Sequence, residues 1–175
     1  SIGMNNQVSF GLEDNDQAIG ATRLAPAAAA DFNVEIPGNW EVVNNGSTTM
    51  TWTNVPDYDG GNNIDGTSFI IVDSDAPGDG TTTDETISTP IKNLSASNNI
   101  ILSFDQYFRV YDLGGQETAT VSVFDGSSWV DVYNLDQAGG NVGSWSNPDQ
   151  QIIDLSAFAN DAFQVRFRYT GAYDW

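Results

Sequence analysis

Residues 163–169, with the sequence FQVRFRY, decide the fold of this chain. Apolar side chains occupy every second position, and a glutamine and two arginines lie between them. Because successive side chains of an extended strand point to opposite faces, this alternation predicts a strand with one buried and one solvent-facing side. Arg166 and Arg168 are therefore expected on the outer face, where they could pair with acidic side chains of neighbouring strands.

The same period of two recurs along the chain. It is clear at 100–105 and 117–124, and shorter strand candidates lie at 40–43, 49–53, 68–72, 85–89, 129–133 and 151–154. The only helical segment expected is a single turn at 155–159. Turn-forming residues separate the strands, and Asp125-Gly126 is the strongest hairpin signal. Many short strands joined by such turns predict an all-β fold, a two-sheet antiparallel β-sandwich of the jelly-roll type.

Length and local composition predict one main domain. A chain of 175 residues is long enough for a single domain with a sizeable core. Residues 1–30 differ in character from the rest, with an acidic patch at 13–16 and an alanine- and proline-rich run at 25–30. The sequence therefore predicts a leader or linker segment over 1–30 and a sandwich module over 31–175.

Charge and composition exclude several functions. Five Lys and Arg against 24 Asp and Glu give a formal net charge of −19, which disfavours nucleic-acid and membrane-surface binding. The chain has no His and no Cys, so mechanisms that need an imidazole base, a thiolate, a Cys/His zinc site or a disulfide are excluded. No stretch reaches the ~20 apolar residues of a membrane span, so no membrane insertion is expected. Neither a phosphate-binding loop nor a repeated carboxylate pair is present, and we do not expect an enzyme.

Eight segments, in this order, resemble the MAM-like and cleaved-adhesin type of jelly-roll module. They are DF at 31–32, IPGNW at 36–40, DSD at 73–75, ISTP at 87–90, LSF at 102–104, VSV at 121–123 with DGSSW at 125–129, IDLS at 153–156, and VRFRY at 165–169. The resemblance covers the chain from about residue 31 to the end. It implies a secreted or cell-surface location, typically in Bacteroidetes-type bacteria, and a non-catalytic role in adhesion or substrate attachment within a larger multidomain protein.

The resemblance also implies a structural difference. Members of that family continue beyond the position of Tyr173-Asp174-Trp175 with a final strand. The sandwich is therefore expected to lack its last strand, which a neighbouring chain could supply by β-augmentation.

Calcium is the expected cofactor. Ca²⁺ takes 6 to 8 oxygen ligands, and a glycine-rich loop after a predicted strand carries several carboxylates at close spacing. Glu85 is also placed within this loop, and the resemblance adds Asp31, since the opening strand of such modules lies beside it. The predicted ligands are Asp31, Asp73, Asp75, Asp79 and Asp84. The alternative is an acidic loop that is simply solvated. A second acidic loop at 57–65 does not match the EF-hand spacing.

Aromatic side chains are the candidates for ligand contact. Tyr58, Tyr111 and Tyr133 are predicted to contact a ligand, whereas four tryptophans are predicted to serve packing. Loops at 107–113 and 133–145 are expected to line one end of the sandwich.

Three functions follow as expectations. The first is a non-catalytic extracellular attachment module stabilised by calcium, whose partner is a cell-surface protein or glycan. The alternatives are a carbohydrate-binding module of a larger secreted hydrolase and a structural subunit of a surface fibre that self-assembles by strand donation.

Overall fold

The computed structural model describes residues 2–5, 8–12, 28–30, 35–47, 49–58, 60–62, 68–74, 76–78, 80–110 and 117–172. Its strands are β1 (Ile2–Asn5), β2 (Val8–Leu12), β3 (Ala28–Ala30), β4 (Glu41–Asn44), β5 (Thr53–Val55), β6 (Phe69–Val72), β7 (Thr82–Ser88), β8 (Ile100–Phe108), β9 (Thr118–Phe124), β10 (Trp129–Asp136), β11 (Asp149–Asp154) and β12 (Val165–Ala172). Single 3₁₀ turns occur at Gln137–Gly139 and Ser156–Phe158, and the second confirms the turn predicted at 155–159.

The strands form two antiparallel sheets that pack face to face, which confirms the predicted all-β sandwich. The first sheet runs β3-β2-β8-β1-β6-β5. Strand β11 also pairs with β8. It lies on the side of β8 opposite to β1, because Gln106 of β8 pairs with both Met4 of β1 and Asp149 of β11. The second sheet runs β10-β9-β12-β7-β4.

The alternation at 163–169 produces the expected core strand. Val165, Phe167 and Tyr169 are all buried, and β12 lies in the middle of the second sheet between β7 and β9. Across the core, the Phe167 ring meets the Phe104 ring of β8 edge to face, with 5.4 Å between the ring centroids. This contact between two central strands holds the sheets together at the middle of the sandwich.

The hairpin predicted from Asp125-Gly126 is present, and it joins β9 to β10. β9 and β10 pair from Phe124 with Trp129 through Thr118 with Asp136. Gly126 has φ +99°, a conformation that glycine adopts without the steric cost of a Cβ. Asp125 closes the loop by accepting hydrogen bonds from Ser127 and Ser128.

Two regions contain differences from the predicted strands. The strand predicted at 49–53 overlaps β5 only at Thr53, because Trp52 is buried from a loop and not from a strand. Within residues 1–30, three strands that the sequence did not predict, β1, β2 and β3, belong to the first sheet, and the division of the chain at residue 30 stays a prediction. β1 lies between β6 and β8, in the interior of that sheet. The strand that the resemblance places after Tyr173 lies outside the described residues.

Candidate functional site

One end of the sandwich gathers the polar and acidic groups that the sequence singled out. At this end β6 and β12 finish and β7 and β9 begin. A direct contact joins the two sheets here, since the Tyr169 hydroxyl of β12 lies 3.0 Å from Ser74 Oγ, just after β6. We call this region the acidic end.

Asp73 follows β6 directly and is half-buried. Its Oδ2 accepts a 2.7 Å hydrogen bond from the Tyr58 hydroxyl, and its Oδ1 accepts a 3.3 Å bond from the Ala76 amide. The chain then turns through Gly78 at φ +91° and Gly80 at φ +81° before it enters β7. Asp73, one of the predicted calcium ligands, is therefore held by two hydrogen-bond partners at the start of the loop between β6 and β7.

Asp84 occupies a different environment. It lies on β7 with its carboxylate on the outer face of the second sheet, where Arg168 binds it through two hydrogen bonds of 2.8 and 2.9 Å. The hydrogen bond to Asp84 raises the pKa of the Arg168 guanidinium. Both oxygens of this predicted ligand are thus engaged by an arginine, and the outward pairing predicted for Arg168 is present.

The other predicted ligands, Asp31, Asp75 and Asp79, lie outside the described residues. Within the described ranges, no three acidic side chains come close enough to hold a metal ion. The calcium ligand set therefore remains a prediction, with Asp73 as its described member.

Beneath the acidic end lies a buried polar cluster formed by Ser74, Glu117 and Tyr169. The Tyr169 hydroxyl donates a 2.8 Å hydrogen bond to Glu117 Oε1, and all three residues are buried. Gly171 makes this arrangement possible, since a Cβ at that position would lie 2.9 Å from the Tyr169 hydroxyl oxygen. The cluster places a carboxylate inside the sandwich, between the two sheets.

Glu85 is a second buried carboxylate at this end. It faces the core on β7 beside Ile87, and its side chain is 0% exposed. Neither carboxylate oxygen has a hydrogen-bond partner in the described part of the chain. Burial raises the pKa of Glu85, and the nearby Thr51 hydroxyl and backbone amides offset part of that rise. A carboxylate in this position requires either a proton or a cation, because an unpaired buried charge is strongly unfavourable.

An aromatic cluster lies on the outer face of the first sheet, next to Asp73. Phe69 and Ile71 point away from the main core but are buried, and Tyr58, Tyr107 and Trp145 are the aromatic residues that pack over them. The Trp145 ring centroid lies 5.4 Å from Phe69, 4.9 Å from Tyr107 and 5.9 Å from Tyr58. Because Tyr58 also binds Asp73, the aromatic cluster and the acidic loop are directly connected.

The three predicted ligand-contact tyrosines have different fates. Tyr58 is half-buried in the aromatic cluster. Tyr133 packs against the main core, where its hydroxyl accepts a 2.6 Å hydrogen bond from Gln106 and burial raises its pKa. Tyr111 lies outside the described residues.

Sequence reasoning predicted Tyr169 on the core face but missed its polar partners Ser74 and Glu117, and it placed Glu85 among the loop carboxylates. A signal for Glu117 and Glu85 was available. Glu117 shares its strand face with Ala119, and Glu85 shares its face with Ile87, so the period of two places both carboxylates toward the core. Trp145 was correctly expected to pack, although it does so outside the sandwich.

In comparisons with protein-family models, curated proteins and solved structures, no match to this chain was found. Among the described residues, no helix has the length and apolar character needed to cross a bilayer.

Proposed function

We propose that this chain is a non-catalytic extracellular attachment module in which calcium stabilises the acidic end. The observation that supports this proposal most directly is the fully buried Glu85 carboxylate, which lacks a hydrogen-bond partner in the described structure. It lies at the same end of the sandwich as the loop that follows Asp73. A cation that bound there would compensate the charge that burial leaves unpaired.

Asp73 and Glu85 are the described residues that would contribute oxygen ligands, and Asp31, Asp75 and Asp79 are the predicted remainder. Hard oxygen donors in this number suit Ca²⁺. Asp84 is the weakest member of the predicted set, because coordination would have to compete with the two hydrogen bonds from Arg168. The ion would join the loop after β6 to the core-facing side of β7, and so fix the loop against the sandwich.

A binding role fits the side-chain inventory better than catalysis. The chain contains no imidazole or thiol to move a proton or attack a substrate. Glu117 and Asp84 are engaged by Tyr169 and Arg168, and these contacts hold the structure together. The proposed partners are a cell-surface protein or glycan, presented to the module as part of a larger secreted protein.

The first prediction tests whether calcium stabilises the folded protein. Adding calcium to chelated protein is expected to raise the thermal midpoint, because a ligand that binds only the folded state adds about 2.7 kcal/mol at a hundredfold excess over its Kd. Asp73→Asn is expected to reduce this gain, since an amide is a weaker ligand for calcium than a carboxylate. Differential scanning calorimetry with and without chelator measures both effects.

Asp161→Asn is the control for this experiment. Asp161 is exposed and lies before β12, at the opposite end of the sandwich, and its replacement removes the same charge. It should leave the calcium response unchanged. An identical midpoint with calcium and with chelator would refute the structural ion, and an equal loss of response in both variants would place the ion elsewhere.

Carbohydrate binding is the second candidate function, and the aromatic cluster supports it. Tyr58, Tyr107 and Trp145 are half-buried on the outer face of the first sheet, and sugar rings stack on such side chains. Tyr58→Phe keeps the ring but removes the bond to Asp73, whereas Tyr58→Ala removes the ring. Binding to a glycan array in the presence of calcium is expected to survive the first change and decline with the second. An array without any bound glycan would exclude this candidate.

A further inference from the structure

Several buried oxygen atoms at the acidic end have no hydrogen-bond partner among the described residues. They are both carboxylate oxygens of Glu85 and the hydroxyl oxygens of Thr51 and Thr83. Glu85 is 0% exposed and Thr83 is 2% exposed. Because a buried polar group without a partner is unfavourable, native proteins rarely leave several of them at one place. This concentration of unpaired oxygens indicates a site for a bound group.

Strand β7 supplies two of the three residues. Thr83 and Glu85 are two positions apart and both buried, so their side chains enter the space between the sheets from the same face of β7. Tyr169 of β12 lies directly opposite Glu85, but its hydroxyl donates its hydrogen bond to Glu117. The polar side chain opposite Glu85 is therefore already engaged, and it leaves the Glu85 oxygens unpaired.

The loop between β4 and β5, described at 45–47 and 49–52, covers the Glu85 carboxylate. We call it the β4–β5 loop. Two backbone hydrogen bonds of 2.8 and 2.9 Å attach it to β7. A Cβ at Gly46 would lie 3.1 Å from Glu85 Oε1, so the carboxylate lies directly beneath the loop. The absence of a side chain at Gly46 leaves room for it there.

Thr51 brings a hydroxyl of the β4–β5 loop to the same place. This hydroxyl is near enough to Glu85 to lower the pKa of the carboxyl group, yet no hydrogen bond of ordinary geometry joins the two groups. The lone pairs on both sides therefore stay available to a third group. Carboxylate and hydroxyl oxygens are hard donors of the kind that Ca²⁺ and Mg²⁺ accept.

We propose that the calcium ion of the acidic end binds between the β4–β5 loop and β7, with the Thr51 and Thr83 hydroxyls as ligands beside the Glu85 carboxylate. This inference rests on the proposed function, and it adds two neutral ligands and a second loop to the site. An ion contacts several oxygens at once, whereas a proton on Glu85 would compensate the carboxylate alone. The bound ion would also tie the β4–β5 loop to β7.

Isothermal titration of calcium chloride into chelator-treated protein tests the two hydroxyls. Thr51→Val and Thr83→Val keep the shape of the side chain and replace the hydroxyl with a methyl group. Each is expected to weaken calcium binding about tenfold, the lower end of the loss that follows removal of a group supporting a bound metal. Thr51→Ser keeps the oxygen and should keep the affinity. Thr49→Val is the matched control, because Thr49 is exposed on the same loop.

Stability in chelator separates the loss of a ligand from damage to the fold. Without calcium, both valine variants should be at least as stable as the unmodified chain, because a methyl group in place of an unpaired buried hydroxyl has no lost hydrogen bonds with water. Urea unfolding in chelator measures this. A valine variant that is less stable there, but binds calcium as well as the unmodified chain does, would give its hydroxyl a structural role and overturn the proposal.

The unmodified chain provides a readout of its own. The Asn45 and Ser47 amides donate the two hydrogen bonds that attach the β4–β5 loop to β7. Calcium is expected to slow their hydrogen exchange, because an ion that ties the loop to β7 makes local opening less favourable. The Asp125 amide, bonded to the Ser128 carbonyl in the distant β9–β10 hairpin, is the reference for general stabilisation. Equal slowing at all three amides would contradict a site beneath this loop.

The titrations distinguish failure of this inference from failure of the proposed function. If Asp73→Asn weakens calcium binding while Thr51→Val and Thr83→Val do not, the ion is held by the loop after β6, and the inference alone is refuted. Equal weakening by Thr49→Val would refute it as well, since the effect would not depend on a buried hydroxyl. An unmodified chain that binds no calcium would refute both.

Discussion

Glu85 combines complete burial with a side chain that is normally charged at neutral pH. Burial raises its pKa above the usual 4.5, so the folded state holds the proton more tightly than the unfolded state does. The folded state is therefore more stable when the Glu85 carboxyl group is protonated than when it is ionised. This contribution is fully present below the unfolded pKa and is lost as the pH rises through the folded value.

The second prediction follows from that sign. In chelator at pH 7, Glu85→Gln is expected to raise the free energy of unfolding by about 1 to 3 kcal/mol, because a neutral amide avoids the cost of an unpaired buried charge. The gain should vanish below about pH 4. Urea unfolding across this pH range measures it, with the exposed Glu41→Gln as the control. A gain that did not change with pH would contradict the explanation.

In the presence of calcium, the unmodified protein is expected to be more stable than Glu85→Gln, because the proposed ion compensates a carboxylate but not an amide.

Arg166 and Arg168 show how one strand face gives two different roles. Both point outward, as the alternation predicts, and in the described part of the chain Arg168 is the one that forms an ion pair, with the carboxylate of Asp84. The Arg166 guanidinium carbon lies 4.3 Å from the centroid of the Trp129 ring. Trp129 is thus a half-buried partner of a cation on the outer face, and not a core tryptophan.

At the scale of elements, the β9–β10 hairpin is the unit that local sequence explains best. Asp125 Oδ1 accepts 2.8 Å hydrogen bonds from the amides of Ser127 and Ser128 and from the Ser127 hydroxyl. These bonds, led by the one from the Ser128 amide, lower the pKa of Asp125. The turn therefore prefers the ionised carboxylate.

The third prediction concerns this turn. Asp125→Ala is expected to lower the thermal midpoint at pH 7, because three donors lose their acceptor. A depressed folded pKa means that the stabilisation is present above the unfolded pKa of about 3.8 and disappears as the pH falls through the folded value. The gap between the two proteins should therefore close in acid. Calorimetry from pH 7 to pH 2 follows it, and a constant gap would assign the effect to the loss of side-chain packing.

At the scale of the whole molecule, charge is the dominant feature. The formal net charge is −19 on 175 residues, and the acidic side chains repel one another more strongly in the compact state than in the unfolded chain. Salt shortens the range of this repulsion, from a Debye length of about 10 Å at 0.1 M to about 3 Å at 1 M.

The fourth prediction is a rise of the thermal midpoint with sodium chloride, measured in chelator so that calcium does not contribute. A gain of about 1 kcal/mol corresponds to about 2 to 4 °C for a domain of this size. An equal concentration of a neutral osmolyte controls for general solvent effects. A midpoint that falls with salt would show that attractive pairs such as Arg168 with Asp84 outweigh the net repulsion.

The sequence by itself determined the fold class, the core strand at 163–169, the β9–β10 hairpin and the outward direction of the arginines. These features depend on local rules, namely the period of two along a strand and the turn preferences of Asp and Gly. Only the tertiary structure decided that Asp84 binds Arg168, that Ser74 contacts Tyr169 across the two sheets, and that β1 pairs with both β6 and β8. Each of these contacts joins residues more than 60 positions apart, and local preferences contain no information about which distant strands will become neighbours.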